Sequence, residues 1–162
     1  MLHPLVVLVE NDAIHGTGLR TTGLIKAGEV VSRLDEDRVK YTVKDVLTWS
    51  PEAQADLLHF AYQMREDLIV VEIAPERYMN HSCDANTWWS DDDTMIARRD
   101  IQAGEEITYD YATTEVTVPY AFDCLCGSNI CRKRVTNLDH LIPAWQAMFG
   151  DHLPQHTLKA IA

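Results

Sequence analysis

Four cysteines, two tyrosines and one Asn-His pair carry most of the chemistry this sequence can offer. Cys124, Cys126 and Cys131 fall within eight residues, and Cys83 precedes them by some forty. Four thiolates at about 2.3 Å from a Zn(II) ion complete a tetrahedral shell, leaving no open position, so such a site would be structural. The alternatives for the same residues are disulfides or unrelated core thiols. No leader with a charged start and an apolar core opens the chain, so an oxidising compartment is not indicated. Cys124 and Cys126 are also poorly spaced to pair with each other.

The tyrosines sit in Glu105-Glu106-Ile107-Thr108-Tyr109-Asp110-Tyr111. Gly104 and the two glutamates read as a turn entering a strand. Alternation then puts Ile107, Tyr109 and Tyr111 on one face, with Thr108 and Asp110 on the other. Two phenols about 7 Å apart on one strand face could line a pocket and present hydroxyls to a ligand. Two half-buried tyrosines with satisfied hydroxyls are the plainer reading of the same pattern.

Taken in order, the motifs Asn80-His81-Ser82-Cys83, Glu106-Ile107-Thr108-Tyr109-Asp110-Tyr111 and Cys124-Leu125-Cys126 with Cys131 resemble the signature of SET-domain protein-lysine methyltransferases that carry a post-SET zinc motif. Upstream, Gly16-Thr17-Gly18-Leu19 and Ile25-Lys26-Ala27-Gly28-Glu29 look like the glycine-rich opening of that family, although Arg20 and Thr21 stand where it usually has an aromatic and a small residue. The resemblance implies a mainly β (α+β) fold, a SET-like β-clip of small sheets with a knot-like core. It divides the chain into a SET domain at 1–120 with a variable helical insert at 36–72, a post-SET zinc loop at 121–135 and a C-terminal helical extension at 136–162.

It also implies roles. S-adenosylmethionine would be the methyl donor, held by Gly16, Thr17, Gly18, Asn80 and His81, with Tyr78 nearby and Leu125 packed on the adenine. Tyr111 would be the catalytic tyrosine. Tyr109 matches a position that alternates between phenylalanine and tyrosine; a tyrosine there restricts room for further methyl groups and points to monomethylation. Cys83, Cys124, Cys126 and Cys131 would hold one structural Zn(II). The substrate would be a lysine in a basic protein or peptide, such as a histone tail. A non-catalytic peptide reader and a zinc-stapled interaction module are the rival functions.

Composition bounds these readings. A chain of 162 residues, 46% hydrophobic, suffices for one domain with a sizeable core. No apolar run approaches the length of a membrane span. The net charge of −11 disfavours nonspecific binding to nucleic acid and favours basic partners. An intracellular site, cytoplasmic or nuclear and not secreted, follows from the missing leader.

The remaining residues must position the motifs. Residues 5–10, 30–34 and 67–73 read as strands, as do 86–90 and 95–99 around a turn at Asp91-Asp92-Asp93. Trp88 and Trp89 must then face opposite sides, one into the core and the other either available to a groove or, like the first, part of the scaffold. Thr42 caps a helix over 43–49, and Ser50-Pro51 opens another in which Ala55, Leu58, Ala61 and Tyr62 recur at helical spacing as core contacts. A short turn of helix fits 75–80. The extension carries two helical patches, 141–149 and 158–161, split by Gly150 and Pro154, and could pack on the domain or form a homodimer. His59, His140, His152 and His156 read as surface residues.

Overall fold

The computed structural model describes every residue except Asp12 and Glu36, so the expected start of the insert lies outside the described residues. Among the described residues the chain forms strands β1 (Val6–Val9), β2 (Gly18–Thr21), β3 (Val30–Arg33) and β4 (Lys40–Thr42), then helices α1 (Val43–Val46) and α2 (Pro51–Leu58). Strands β5 (Ala61–Arg65), β6 (Leu68–Val71), β7 (Asn80–His81), β8 (Thr87–Trp89), β9 (Thr94–Ala97) and β10 (Thr108–Tyr109) follow. Beyond them come β11 (Ala121–Asp123), β12 (Arg134–Thr136), α3 (Pro143–Phe149) and α4 (Gln155–Ile161). The strands make small sheets: β1 with β2, β3-β9-β8, β4-β6-β5, β10 with β7, and β11 with β12. All pairs are antiparallel except β7 with β10. This is the mainly β architecture of small sheets that the motifs imply.

No sheet is wide enough to bury a core alone, so the sheets face one another across shared side chains. Leu19, Ile25, Val31, Trp89, Ile101 and Ile107 meet in the central cluster, all fully buried. Each such side chain contributes about 1.5–3 kcal/mol relative to exposure. Trp89 is thus core, as alternation requires of one tryptophan. Trp88 stacks on His152 of the extension, with ring centroids 3.7 Å apart.

The insert differs from its sequence pattern. Ser50 accepts the Ala53 N–H and Pro51 occupies the first turn of α2, as expected. The helix ends at Leu58, however, and Ala61 and Tyr62 belong to β5, paired with Val71 and Val70 of β6. Ala55 is exposed, and the buried face of α2 is Gln54 and Leu58. Likewise α1 is a single turn capped by Thr42, because only Val43 and Val46 find a core to enter. His59 is exposed, as read.

The extension packs on the domain. Trp145, Phe149 and Leu153 share a buried cluster with Cys83, Ala112, Cys124 and Val135. Gly150, at φ +57°, turns the chain between α3 and α4 in a conformation that side chains disfavour. His140 and His156 are buried rather than on the surface, because each finds a backbone carbonyl to satisfy its ring: Asn137 O at 2.9 Å and Thr114 O at 2.8 Å. Thr157 donates to Thr113 O at 2.7 Å, so α4 is fastened to the segment that follows the tyrosines.

Candidate active site and metal centre

The tyrosine segment is held from several sides. In the parallel pair, Thr108 sits opposite Asn80 and Tyr109 opposite His81. Ile107 N–H donates to Leu19 O of β2 at 2.7 Å. Buried Asn86 donates to Glu106 O at 2.8 Å and accepts from Thr108 N–H at 3.0 Å. Residues 106–109 therefore run between β2 and the 80–86 segment, which brings the two principal motifs into register.

After Tyr109 the chain leaves the strand. Asp110 accepts the Ala112 N–H at 3.1 Å and caps a 3₁₀ turn over Tyr111–Thr113. Ile107, Tyr109 and Tyr111 consequently do not share one strand face, and the two phenol rings approach to 4.7 Å rather than 7 Å. The Tyr111 hydroxyl donates to Met79 O at 2.9 Å. Both tyrosines line a narrow cavity of about 40 Å³, walled also by Met79, Met95, Tyr120 and Glu115. Burial pushes both phenols up, so each is a neutral hydrogen-bonding group at physiological pH.

Next to this cavity, though not in its wall, Asn80 joins the glycine loop to the tyrosine segment. Its Nδ2 donates to Thr17 O at 2.9 Å and to Glu106 Oε1 at 2.8 Å. Glu106 Oε2 accepts the Ile14 N–H at 2.8 Å, so this carboxylate anchors the loop from its other end. Gly18 is required here: a Cβ would stand 2.5 Å from Ala13 Cβ, 2.7 Å from Glu106 Oε1 and 2.8 Å from Asn80 Nδ2. Thr17, Gly18 and Asn80 are thus assembled into one cluster, with Gly16, at φ +85°, turning the loop just before it. The Tyr78 ring is half-buried and packs edge-on against Phe60. Glu106 was missed as a site residue, since a glutamate after a turn glycine reads as an exposed turn.

The four cysteines converge. Their Sγ atoms all lie within 4.8 Å of one another, and Cys83 and Cys124 are 3.7 Å apart. Thiolates bound tetrahedrally at 2.3 Å would be about 3.8 Å apart, so the donor set and its spacing fit Zn(II). The β11–β12 hairpin carries the three late cysteines toward Cys83, and Arg132 N–H donates to Cys83 Sγ at 3.4 Å. Leu125, between two of these cysteines, is 75% exposed.

His81 links the two halves through its side chain. Burial lowers its pKa to about 4, so the ring is neutral. Nδ1 accepts the Tyr111 N–H at 3.1 Å, which leaves Nε2–H to face Cys83 Sγ at 3.3 Å. Fully buried Asp110 completes the frame. It binds Arg132 through two 2.7 Å hydrogen bonds and accepts Trp145 Nε1–H at 3.0 Å, while Arg132 also pairs with Asp139 at 2.6 Å. One carboxylate beside the tyrosines therefore ties down both the cysteine loop and the extension.

The family model for the SET domain matches residues 16–112, more than half of the chain. A histone-lysine N-methyltransferase of Mycosarcoma maydis, H3 lysine-4 specific, is 33% identical over 135 residues, covering 74% of this chain and 9% of that protein. The histone-lysine N-methyltransferase trithorax of Drosophila virilis is 30% identical over 132 residues, 74% of this chain and 3% of its own length. The histone-lysine N-methyltransferase ASHH3 of Arabidopsis thaliana is 27% identical over 130 residues, 74% of this chain and 35% of that protein. The chain thus spans about a third or less of these relatives.

Proposed function

Because the chain belongs to the SET-domain family, we propose that it is a protein-lysine N-methyltransferase that uses S-adenosylmethionine and acts on a basic protein, a histone tail being the substrate class its relatives' names suggest. The observation that carries this reading is the junction of the two motifs. Tyr111, hydrogen-bonded to Met79 O, stands at a narrow cavity immediately beside the Asn80 and glycine-loop cluster. S-adenosylmethionine, when bound, supplies an electrophilic methyl group. The chain's residues would hold and orient it: Gly16, Thr17 and Gly18 with Asn80 and His81, Tyr78 nearby, and Leu125 as a flat apolar cover. An apolar side chain left so exposed between a buried and a half-buried cysteine supports that last assignment.

The cavity supplies the rest. Two buried neutral phenols orient an amine without ionising it, and Met79 and Met95 add an apolar part to a wall that also carries polar side chains. Tyr111 is the catalytic tyrosine of this reading, and Tyr109 limits the space for further methyl groups, giving mainly monomethylation. Cys83, Cys124, Cys126 and Cys131 hold one structural Zn(II) that fixes the loop over the site. No helix among the described residues is long and apolar enough to cross a membrane. A nuclear or cytoplasmic location and the absence of direct nucleic-acid binding belong to the same proposal. So does the domain division at 120 and 135, as does a homodimer through 136–162, where Leu138, Leu141 and Ile142 remain exposed.

The test is transfer of labelled methyl from S-adenosylmethionine to core histones, with Tyr111→Phe and Tyr109→Phe beside the wild type. Label on lysine that is lost in Tyr111→Phe, and di- or trimethyl products from Tyr109→Phe, are expected. Wild-type protein that binds no S-adenosylmethionine by calorimetry would leave the peptide reader or the zinc-stapled module. A Tyr109→Phe enzyme that still stops at one methyl would remove the monomethylation assignment.

A further inference from the structure

Three carboxylates line the cavity behind the tyrosines: Glu72, Glu76 and Glu115. Glu72 faces Arg38 at 3.5 Å, and Glu76 faces the Met1 amino group at 3.0 Å. Glu115 has no cation against it among the described residues. It is nevertheless the most deeply buried of the three, only 3% exposed. Its Oε1 accepts the Gln63 N–H at 3.0 Å and the Thr114 hydroxyl at 3.2 Å. Its Oε2 is fully enclosed and has no partner at all.

A buried carboxylate oxygen left unpaired costs stability, and a protein selected for folding alone would lose it. Here Glu115 is one of the residues that line the cavity holding Tyr109 and Tyr111. The other titratable groups around Glu115 cannot neutralise it. The phenols of Tyr109 and Tyr120 are pushed up by burial, and His156, hydrogen-bonded to Thr114 O, is held down by its own burial. An incoming lysine would be the missing cation.

We propose that Glu115 receives the target lysine: its free Oε2 pairs with the ammonium group and takes up its proton, leaving a neutral amine beside Tyr109 and Tyr111. In this step one N–H bond breaks, an O–H bond forms on Glu115, and the electron pair stays on nitrogen, ready to attack an electrophilic methyl group. The proton later returns to solvent. The inference rests on the methyl-transfer reading of the site but names a group that the tyrosine and Asn-His motifs do not include. Burial raises the Glu115 pKa to about 7 against the hydrogen bonds of Gln63 and Thr114, which places its proton affinity where such an exchange can turn over.

The experiment uses the full chain and n-butylammonium as a stand-in for the lysine head, with n-butanol as the uncharged control. Glu115→Gln keeps an oxygen for Gln63 and Thr114, and its melting curve and zinc content check that it folds. Wild type should bind butylammonium at least tenfold more tightly than Glu115→Gln at pH 8, while butanol binds both alike. Equal butylammonium affinities would overturn the proposal. Calorimetry on wild type alone, in buffers of different ionisation enthalpy, covers the case of a misfolded variant. At pH 6 butylammonium binding should release about one proton whether the remaining proton lies on Glu115 or on the amine, and binding without proton release would equally overturn the proposal. Labelled transfer to histones separates the two readings. Glu115-dependent cation binding without transfer would remove the methyltransferase reading and keep the cation site. Transfer with an unchanged rate and pH profile in Glu115→Gln would do the reverse.

Discussion

Asp110 and Asp123 each meet an arginine at 2.7 Å, yet replacing them by asparagine should have very different consequences. The Asp123 side chain is 79% exposed, and its pair with Arg134 lies in water, where such pairs contribute roughly 0–1 kcal/mol. Asp110 is fully buried and has two hydrogen bonds from Arg132, one from Trp145 Nε1 and one from Ala112 N. In Asp110→Asn one oxygen becomes an NH₂ group that faces a guanidinium N–H and, with it, either the Trp145 indole N–H or the Ala112 N–H, donor against donor. Arg132 keeps Asp139 as its charged partner and at most one hydrogen bond to the new amide, and at least one buried N–H is left unsatisfied. Removing one partner of a buried pair costs about 3–5 kcal/mol. For a chain of this size that corresponds to a fall in Tm of roughly 6–20 °C, at about 2–4 °C per kcal/mol. Urea unfolding of wild type, Asp110→Asn and Asp123→Asn under identical conditions reads the difference, and Asp123→Asn should fall within about 0.5 kcal/mol of wild type. An Asp110→Asn protein no less stable than Asp123→Asn would refute the assignment of Asp110 as the tie between tyrosine turn, cysteine loop and extension.

Three further outcomes follow from the same geometry. Elemental analysis should find one zinc per chain, and Cys83→Ser or a strong chelator should lower Tm and open the 121–135 loop to protease, because Cys83 is the ligand that joins the loop to the core. Gly18→Ala should weaken S-adenosylmethionine binding at least tenfold by calorimetry, since its Cβ overlaps both Asn80 Nδ2 and Glu106 Oε1, whereas Gly28→Ala, which meets no neighbour but is strained at φ +86°, should cost stability and leave binding unchanged. Glu115 has a pKa raised from about 4.5 to about 7 by burial, so the folded state binds its proton more tightly than the unfolded chain does. Its contribution is fully present below about pH 4.5 and is lost as pH rises through 7, a change of about 3 kcal/mol. Glu115→Gln should therefore gain stability relative to wild type between pH 5.5 and pH 8.5 in denaturant titrations, and a constant difference would contradict the burial of an unpaired charge.

What the sequence disclosed and what it hid have physical causes. Asn80-His81, the tyrosines and the cysteines are legible because their chemistry is rare and their spacing local, and the structure brings them to one junction. Ala61 and Tyr62 were misread because they continue the spacing of Leu58 and no glycine or proline marks the stop; pairing with β6, invisible in the local pattern, decides their state. The polar residues of the interior were the least legible. Asp110 is satisfied by Trp145, thirty-five positions away, Gln63 N by Glu115, fifty-two away, and His156 by Thr114, forty-two away. A histidine or carboxylate reads as surface until such a partner is known, because an unpartnered one could not remain inside. The same logic ranks the buried groups once the partners are seen. Asp110, Asn80 and Asn86 have partners from the chain itself, so their burial is explained by the frame they hold. Glu115 Oε2 has none, and Glu115 lines the same cavity as the two phenols. Local rules broken without a structural return mark the places where a protein does something other than fold.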